Sequence, residues 1–363
     1  CRLEYDRGLY SSKRAHRLLD RFVHTVETLF ACPDNPLSQS CVLPPEELDL
    51  VTRVFSNTDT SYCMKPLSEW IEELADTRRE DEAVVAYDGR LSFAELDQQA
   101  DRIACALAEA GAAPGVLVAV MMSRSTALLP TIFGIIKSGA AYLPVDPTYP
   151  TERIALMISD SGASLLITDA KVVDACGGFA VADAAEENLA SILGGVRVVL
   201  VDNALTSCIS LDAAALRAER RSRCVAACED DLAYIIYTSG STGTPKGSRI
   251  TLKGVANLRD AMATCIGFDP SWTAVSVTTM SFDIFVADAL LPLTYGCRTV
   301  LADDDELRQP RLLADLIQRE GIDYLQTTPS RMQIMIRDTA FKEAAKRLGT
   351  VVLAGEKPPL PLV

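Results

Sequence analysis

From about residue 67 onward the chain alternates short apolar runs with amphipathic stretches, and this alternation restricts the fold more than any other feature. A helix is expected over 68–78, then a strand over 83–87 (AVVAY). Asp88-Gly89 supplies a tight turn. Ser92, with Glu95 three residues on, reads as a capping box. It opens a helix that runs to about Ala110 and stops at Gly111. A strand over 116–122 (VLVAVMM) leads to a helix over about 126–138, where Pro130 should delay the start or kink it. Further strands fit 141–144, 164–168 and 197–201. Strands alternating with helices imply a parallel-rich α/β fold with helices on both faces.

The front of the chain reads differently. Residues 13–31 form one amphipathic helix with Leu18, Phe22, Val26 and Leu29 at helical spacing. A Pro-rich passage from Cys32 to Pro45 follows, then a short acidic helix start at Glu46–Leu50. Residues 56–66 (SNTDTSYCMKP) have linker chemistry, so a domain boundary is expected there. Residues 170–230 are Ala-rich, and their charge cluster at 219–223 (ERRSR) reads as a solvated surface.

Charge excludes some partners. The formal net charge is -14, which does not suit a phosphate backbone, so no nucleic-acid partner is expected. No apolar run approaches the roughly 20 residues needed to span a bilayer, so no membrane partner is expected either. The 11 cysteines are scattered through apolar stretches, for example Cys105 and Cys265, and read as free buried thiols of a cytoplasmic protein. Cys224 and Cys228 lack a second pair or a nearby histidine, which argues against zinc. The histidines are His16 and His24 alone, both on the front helix, where the ordinary reading is a surface residue. Chemistry further on must therefore use charge, backbone amides and hydroxyls, without a histidine base.

The sharpest local signal is Leu232–Gly247 (LAYIIYTSGSTGTPKG). A buried strand runs into a loop of glycines and hydroxyls that ends in a lysine. Glycine lets consecutive N–H groups turn inward. Thr238, Ser239, Ser241 and Thr242 add donors, Gly240, Gly243 and Gly247 add freedom, and Lys246 adds a full positive charge. Such a set can cradle a polyphosphate. It is not a Walker loop, which needs Gly-Lys followed by Ser or Thr; here the order is Pro245-Lys246-Gly247. The plain alternative is a Gly/Ser surface loop.

At these residues the chain resembles the adenylate-forming (AMP-binding) enzymes. Leu91–Leu96 (LSFAEL), Ile136–Asp146 (IKSGAAYLPVD), Leu232–Gly247 and Ser281–Phe285 (SFDIF) resemble four successive core motifs of that superfamily, and Tyr149–Thr168 continues in its manner. Among its members the peptide-synthetase adenylation domains are the nearest in kind. The resemblance implies a large α/β subdomain of parallel-rich sheets flanked by helices, incomplete at its C-terminus. It implies ATP with Mg²⁺ as cofactors, and Thr238 through Lys246 around the departing phosphates, with Lys246 as the catalytic cation. Gly355-Glu356 resembles a short turn beside the nucleotide. One departure follows the loop: Ser248-Arg249-Ile250-Thr251-Leu252 lacks the usual valine and the histidine a few positions on, so the copy is either a tolerated variant or a drifted one.

Asp283 points to an amino acid as substrate. In peptide-synthetase domains an aspartate in this motif pairs with the α-ammonium, and fatty-acyl and aryl relatives generally lack it. A buried carboxylate needs a cation, so a partner is expected; the bland alternative is an aspartate capping a local turn. Alignment by motif adds Ile284, Ala287, Gln326, Val352 and Ala354 as pocket wall, with a small floor at Ala287 and an amide at Gln326.

Residues 1–55 resemble, more loosely, the C-terminal tail of a condensation domain, through Tyr5–Leu9 (YDRGL) and Leu43–Leu48 (LPPEEL). The division expected is therefore a tail over 1–55, a linker over 56–66 and an incomplete adenylation domain over 67–363. The partners implied are an amino acid, the condensation domain and a carrier domain bearing phosphopantetheine. Both ends read as cut, and a chain ending at Val363 is expected to turn over little by itself. The alternatives are an acyl- or aryl-CoA ligase of the same superfamily, an unrelated helical front extension, and a non-catalytic relic or docking fragment.

Overall fold

The computed structural model describes residues 1–175, 196–202, 217–220, 228–238 and 245–358. The chain divides into two units, Cys1–Ser61 and Tyr62–Val363.

The first unit is built on the helix Ser12–Ala31, whose N-terminus is capped by the Ser11 hydroxyl accepting from the Arg14 N–H. A short helix, Pro45–Asp49, begins on proline, whose missing N–H is harmless in a first turn, and runs on as a wider π-turn over Leu50–Val54. Arg21 grips Glu47 through two hydrogen bonds of 2.7 and 2.5 Å, and this holds the Glu47 carboxyl below the usual carboxylate range. The expected apolar stripe is only partly covered: Val26 and Leu29 are half-buried. Leu18 and Phe22 are 44% and 58% exposed, and Ala15 is the one buried residue of the helix. These few elements make a single layer, and a helix stripe needs a second layer to bury it. His16 is exposed and His24 half-buried, both on the helix surface as expected.

In the second unit the expected parallel-rich sheets are two in number among the described residues. Its strands are β1 Glu82–Ala86, β2 Gly89–Ser92, β3 Leu117–Met121, β4 Ala141–Pro144, β5 Leu165–Thr168, β6 Arg197–Leu200, β7 Leu232–Thr238, β8 Lys246–Thr251, β9 Thr273–Ser276, β10 Arg298–Leu301, β11 Tyr324–Thr327 and β12 Thr350–Leu353. One sheet has the order β6-β5-β3-β4-β7-β8 and the other β12-β11-β9-β10-β1-β2. Among the described residues every pairing is parallel except two, β1 with β2 and β7 with β8, each at a sheet edge.

Strand alternation sorts the core. Val118 and Val120 of β3 face inward with Val84 of β1, whereas Leu117, Ala119 and Met121 join an outer cluster with the helix Thr151–Ser161. Val85, Val275, Val300 and Leu325 of the second sheet face outward onto the helices Pro310–Glu320 and Thr339–Ala345. The inner layer holds Phe93–Glu109, which begins on the expected capping box (Ser92 N–H to Glu95 Oε2, 2.8 Å), and Leu128–Lys137, which starts late with Pro130 in its first turn. These two helices meet at Gly134, where a Cβ would lie 2.8 Å from the Ile103 Cβ and 2.9 Å from the Ala100 carbonyl oxygen; glycine is required by close approach.

Two expectations are corrected here. The charge cluster at 219–223 is not wholly solvated: Arg220 is buried and pairs with Glu72 at 2.5 Å and Asp101 at 2.9 Å. It joins a buried ionic network around Lys137, whose Nζ lies 2.5 Å from Asp97 and 2.6 Å from Asp101. Burial pushes the Asp101 carboxyl up while Lys137 pulls it back. The cysteines are mostly not buried: among the described ones Cys105 and Cys297 are, but Cys1, Cys32, Cys41, Cys63, Cys228 and Cys265 are exposed. Cys224 lies outside the described residues. Among the described residues no helix is long and apolar enough to cross a membrane.

Candidate functional site

Open α/β sheets offer ligands the carboxyl ends of their parallel strands. In the first sheet the relevant end is that of β7. Its apolar run Ala233–Tyr237 is buried, Thr238 at its tip is exposed, and Thr238 pairs with Lys246 across the hairpin to β8. Ser239, Gly240, Ser241, Thr242 and Gly243 lie outside the described residues. Lys246 is exposed and makes no ion pair among the described residues. Gly247 sits opposite Tyr237, and a Cβ there would come within 3.0 Å of Ile235 Cγ2 and 3.2 Å of the Tyr237 ring. The Tyr237 hydroxyl donates to Asp160 at 2.6 Å, and burial with that carboxylate raises its pKa. The unusual run after Gly247 continues β8 in register, with Ser248 opposite Ile236 and Arg249 opposite Ile235. Thr251 then caps the helix Leu252–Ile266.

In the second sheet three strand ends contribute. β9 ends at Ser276, and a turn leads to Ser281–Phe285. Here the burial expected of Asp283 is corrected: its carboxylate is exposed, accepts from the Ile284 N–H at 2.9 Å, and has no cationic partner among the described residues. It stands at the tip of a turn in which Phe282 is also 54% exposed, so the surrounding structure does not desolvate it. It lies near β7, because burial first and the Asp283 charge second push the Tyr234 phenol up to about 12. β11 ends at Thr327, and Thr328 after it caps the helix Pro329–Met335. β12 ends at Leu353 and is followed by Ala354, whose N–H donates to the Thr327 carbonyl, and by Gly355 at φ +85°. A Cβ on Gly355 would lie 3.8 Å from Thr328 Cγ2 and 3.9 Å from Ile284 Cδ1, so these three residues line one wall.

The remaining pocket candidates divide. Ala287 is buried and Ile284, Val352 and Ala354 are half-buried. Gln326 is buried opposite Val352, and its side-chain oxygen already accepts from the Tyr324 hydroxyl at 2.6 Å, so the amide is partly committed within its own strand. Glu356 accepts from the Ser330 hydroxyl and N–H at the start of the helix Pro329–Met335.

Three charged residues near this site went unnoticed in the sequence. Arg124 follows β3 and donates to carbonyls at the ends of β9 and β10. Asp288 is fully buried under the β9 turn, and Arg331 reaches the Val277 carbonyl at 2.5 Å. The readable signal was Asp288, a lone carboxylate in the apolar run Ile284–Leu293.

Comparisons with known proteins show the family and the fold. The family model described as AMP-binding enzyme matches residues 71–363. Tyrocidine synthase 3 of Brevibacillus parabrevis is 31% identical over 363 residues, covering 99% of this chain and 5% of that protein. Gramicidin S synthase 2 of Brevibacillus brevis is 32% identical over 362 residues, covering 99% of this chain and 8% of that protein. The chain therefore spans only a small part of the curated relatives it matches. Among solved structures, the nonribosomal peptide synthetase FmoA3 bound to AMPPNP has a TM-score of 0.77 at 24% identity, covering 97% of this chain and 36% of that one. The same synthetase bound to alpha-methyl-L-serine-AMP also has a TM-score of 0.77 at 24% identity, covering 99% and 38%. At that identity the likeness speaks for the fold.

Proposed function

The chain belongs to the AMP-binding enzymes, and from that premise we propose that it activates an amino acid as its aminoacyl-adenylate for transfer to a carrier-bound phosphopantetheine thiol. In this reaction a carboxylate oxygen of the amino acid attacks the α-phosphorus of ATP. The bond from that phosphorus to the bridging oxygen breaks, and pyrophosphate leaves. The two reactants repel each other, so the site must neutralise charge and align attack with departure.

Each residue has a role in this reading. The loop from Thr238 to Lys246, with Ser239, Gly240, Ser241, Thr242, Gly243 and Gly247, holds the departing phosphates, and Lys246 offsets their charge at the β8 stem. Gly355-Glu356 borders the nucleotide. Asp283 pairs with the α-ammonium, while Ile284, Ala287, Gln326, Val352 and Ala354 shape the side-chain pocket. The single observation that carries the reading is Asp283, an exposed carboxylate aimed by the Ile284 N–H beside the Ile284–Thr328–Gly355 wall and left without a cation among the described residues. Mg²⁺ bound with the triphosphate would supply further positive charge against it. The one described carboxylate group of metal-ligand spacing, Glu72, Asp97 and Asp101, encloses the Lys137 ammonium, so the ion is assigned no protein ligand.

Residues 1–55 are read as the tail of a condensation domain and 56–66 as linker, in an elongation module whose carrier domain receives the amino acid. The two curated matches support this, since each extends over 99% of the chain and so includes the front segment. The test is amino-acid-dependent ATP–pyrophosphate exchange by the full-length protein that contains this chain, against a full amino-acid panel. Exchange driven by one amino acid bears the reading out and names the substrate. Exchange driven only by an aryl or fatty acid moves the chain to the ligase reading, and silence with every acid marks a relic.

A further inference from the structure

The turn between β9 and Asp283 is held by side chains that are not among the residues assigned to the pocket. Arg124 donates from Nη2 to the Ser276 carbonyl and from Nη1 to the Thr278 carbonyl, both at 2.6 Å, and from Nε to the Ala302 carbonyl at 2.7 Å. Arg331 takes the carbonyl between them, that of Val277, at 2.5 Å. From the other side, Asp288 Oδ2 accepts the Val277 and Thr278 N–H groups at 3.2 and 3.1 Å, and Oδ1 accepts the Ser276 hydroxyl at 3.0 Å. Every backbone polar group of residues 277 and 278 is thus taken by an ionisable side chain. A turn beyond a strand end, as residues 277 and 278 are, is ordinarily among the softest parts of a site. Here it is over-determined.

We propose that Arg124 is a positioning residue for amino-acid recognition: by clamping residues 276–278 against Asp288, it sets where the Asp283 carboxylate stands. The inference rests on the reading of Asp283 as the ammonium partner. The path is short, because the clamped turn continues through Thr279, whose carbonyl accepts the Phe282 N–H, to Asp283, whose carbonyl accepts the Val286 N–H. Guanidinium geometry is essential to it. Arg124 serves three carbonyls from three nitrogens in one plane, which a lysine ammonium on a flexible stem cannot do at once. Burial pushes the Asp288 carboxyl up to about 7 while Arg124 pulls it down, so the charge beneath the turn depends on the guanidinium above it.

The test is pyrophosphate exchange by the full-length protein carrying Arg124→Lys, Asp283→Ala or both, with the preferred amino acid, its analogue lacking the α-amino group, and ATP each varied. Arg124→Lys should raise the KM for the amino acid about tenfold and lower its preference over the analogue by a similar factor, with the KM for ATP within about twofold. Added to Asp283→Ala it should do no further harm to that preference, because its effect passes through Asp283. Asp288→Asn, which keeps the shape beneath the turn, should give the same pattern and serves if Arg124→Lys does not fold. Unchanged preference in the single variants, or losses that multiply in the double variant, would overturn the inference while leaving the adenylation reading standing. Wild-type protein that exchanges with no amino acid at all sinks both.

Discussion

The two sheets of the larger unit end in the same device put to different uses. Each has five strands in parallel order, closed on one edge by an antiparallel strand that returns through a hairpin: β2 beside β1 in one, β8 beside β7 in the other. The β1–β2 connection is only Tyr87-Asp88, and Asp88 is tied down by the Thr126 N–H at 2.9 Å and hydroxyl at 3.1 Å. The β7–β8 connection is residues 239–245, made of glycine, serine, threonine and proline, with Lys246 at its far stem. Both hairpins finish an edge that would otherwise expose unpaired N–H and C=O groups. The difference teaches that the edge strand belongs to the fold in both sheets, while the proposed phosphate site falls in the longer connection.

That contrast can be broken directly. Replacing residues 239–245 by a two-residue turn like Tyr87-Asp88 should lower pyrophosphate exchange by more than about a thousandfold, with the unfolding transition kept. Loss of folding instead would mean the long connection is structural. Asp283→Ala should reduce the preference for an amino acid over its analogue lacking the α-amino group by about a hundredfold. A retained preference would detach the second sheet from substrate recognition. Gly247→Ala tests the stem: the new methyl meets Ile235 and Tyr237. It should destabilise by about 1–3 kcal/mol in denaturant unfolding.

A pH series tests the buried support. The Asp288 pKa is raised from 3.8 to about 7 in the folded chain. The native state therefore binds more protons between those values, and the stability this group contributes is fully present below 3.8 and lost as pH rises through about 7. Asp288→Asn should flatten that part of the stability profile. The smallest effect is expected at the tight hairpin, where Asp88→Ala should cost about 1 kcal/mol of stability and leave exchange unchanged. A fall in exchange there would erase the contrast between the two hairpins.

What could be read from the sequence follows from range. The capping box at Ser92 and Glu95, the late helix start around Pro130 and β4 at 141–144 all rest on neighbouring residues, and all are present. The two antiparallel edge strands were not foreseen, because GRLS in β2 and KGSRIT in β8 carry no apolar run; their register comes from β1 and β7. Which strands make up each sheet was equally out of reach, since it depends on which distant strands pair. Arg124 meets carbonyls 152 to 178 residues away, and Arg220 meets Glu72 148 residues away, so nothing local marks either as tied. For Asp283 the motif could be read, but its exposure depends on how the turn after β9 is supported.

The most direct test of the central claim follows an oxygen atom. Full-length protein is given ATP, its preferred amino acid labelled with ¹⁸O in the carboxylate, and hydroxylamine to capture the activated acyl group, and the released AMP is weighed. If the carboxylate attacks the α-phosphorus in a site built from the β7–β8 connection and Asp283, each AMP carries one labelled oxygen, and the Asp283→Ala protein forms far less of it. Unlabelled AMP, or ADP in its place, would contradict the account.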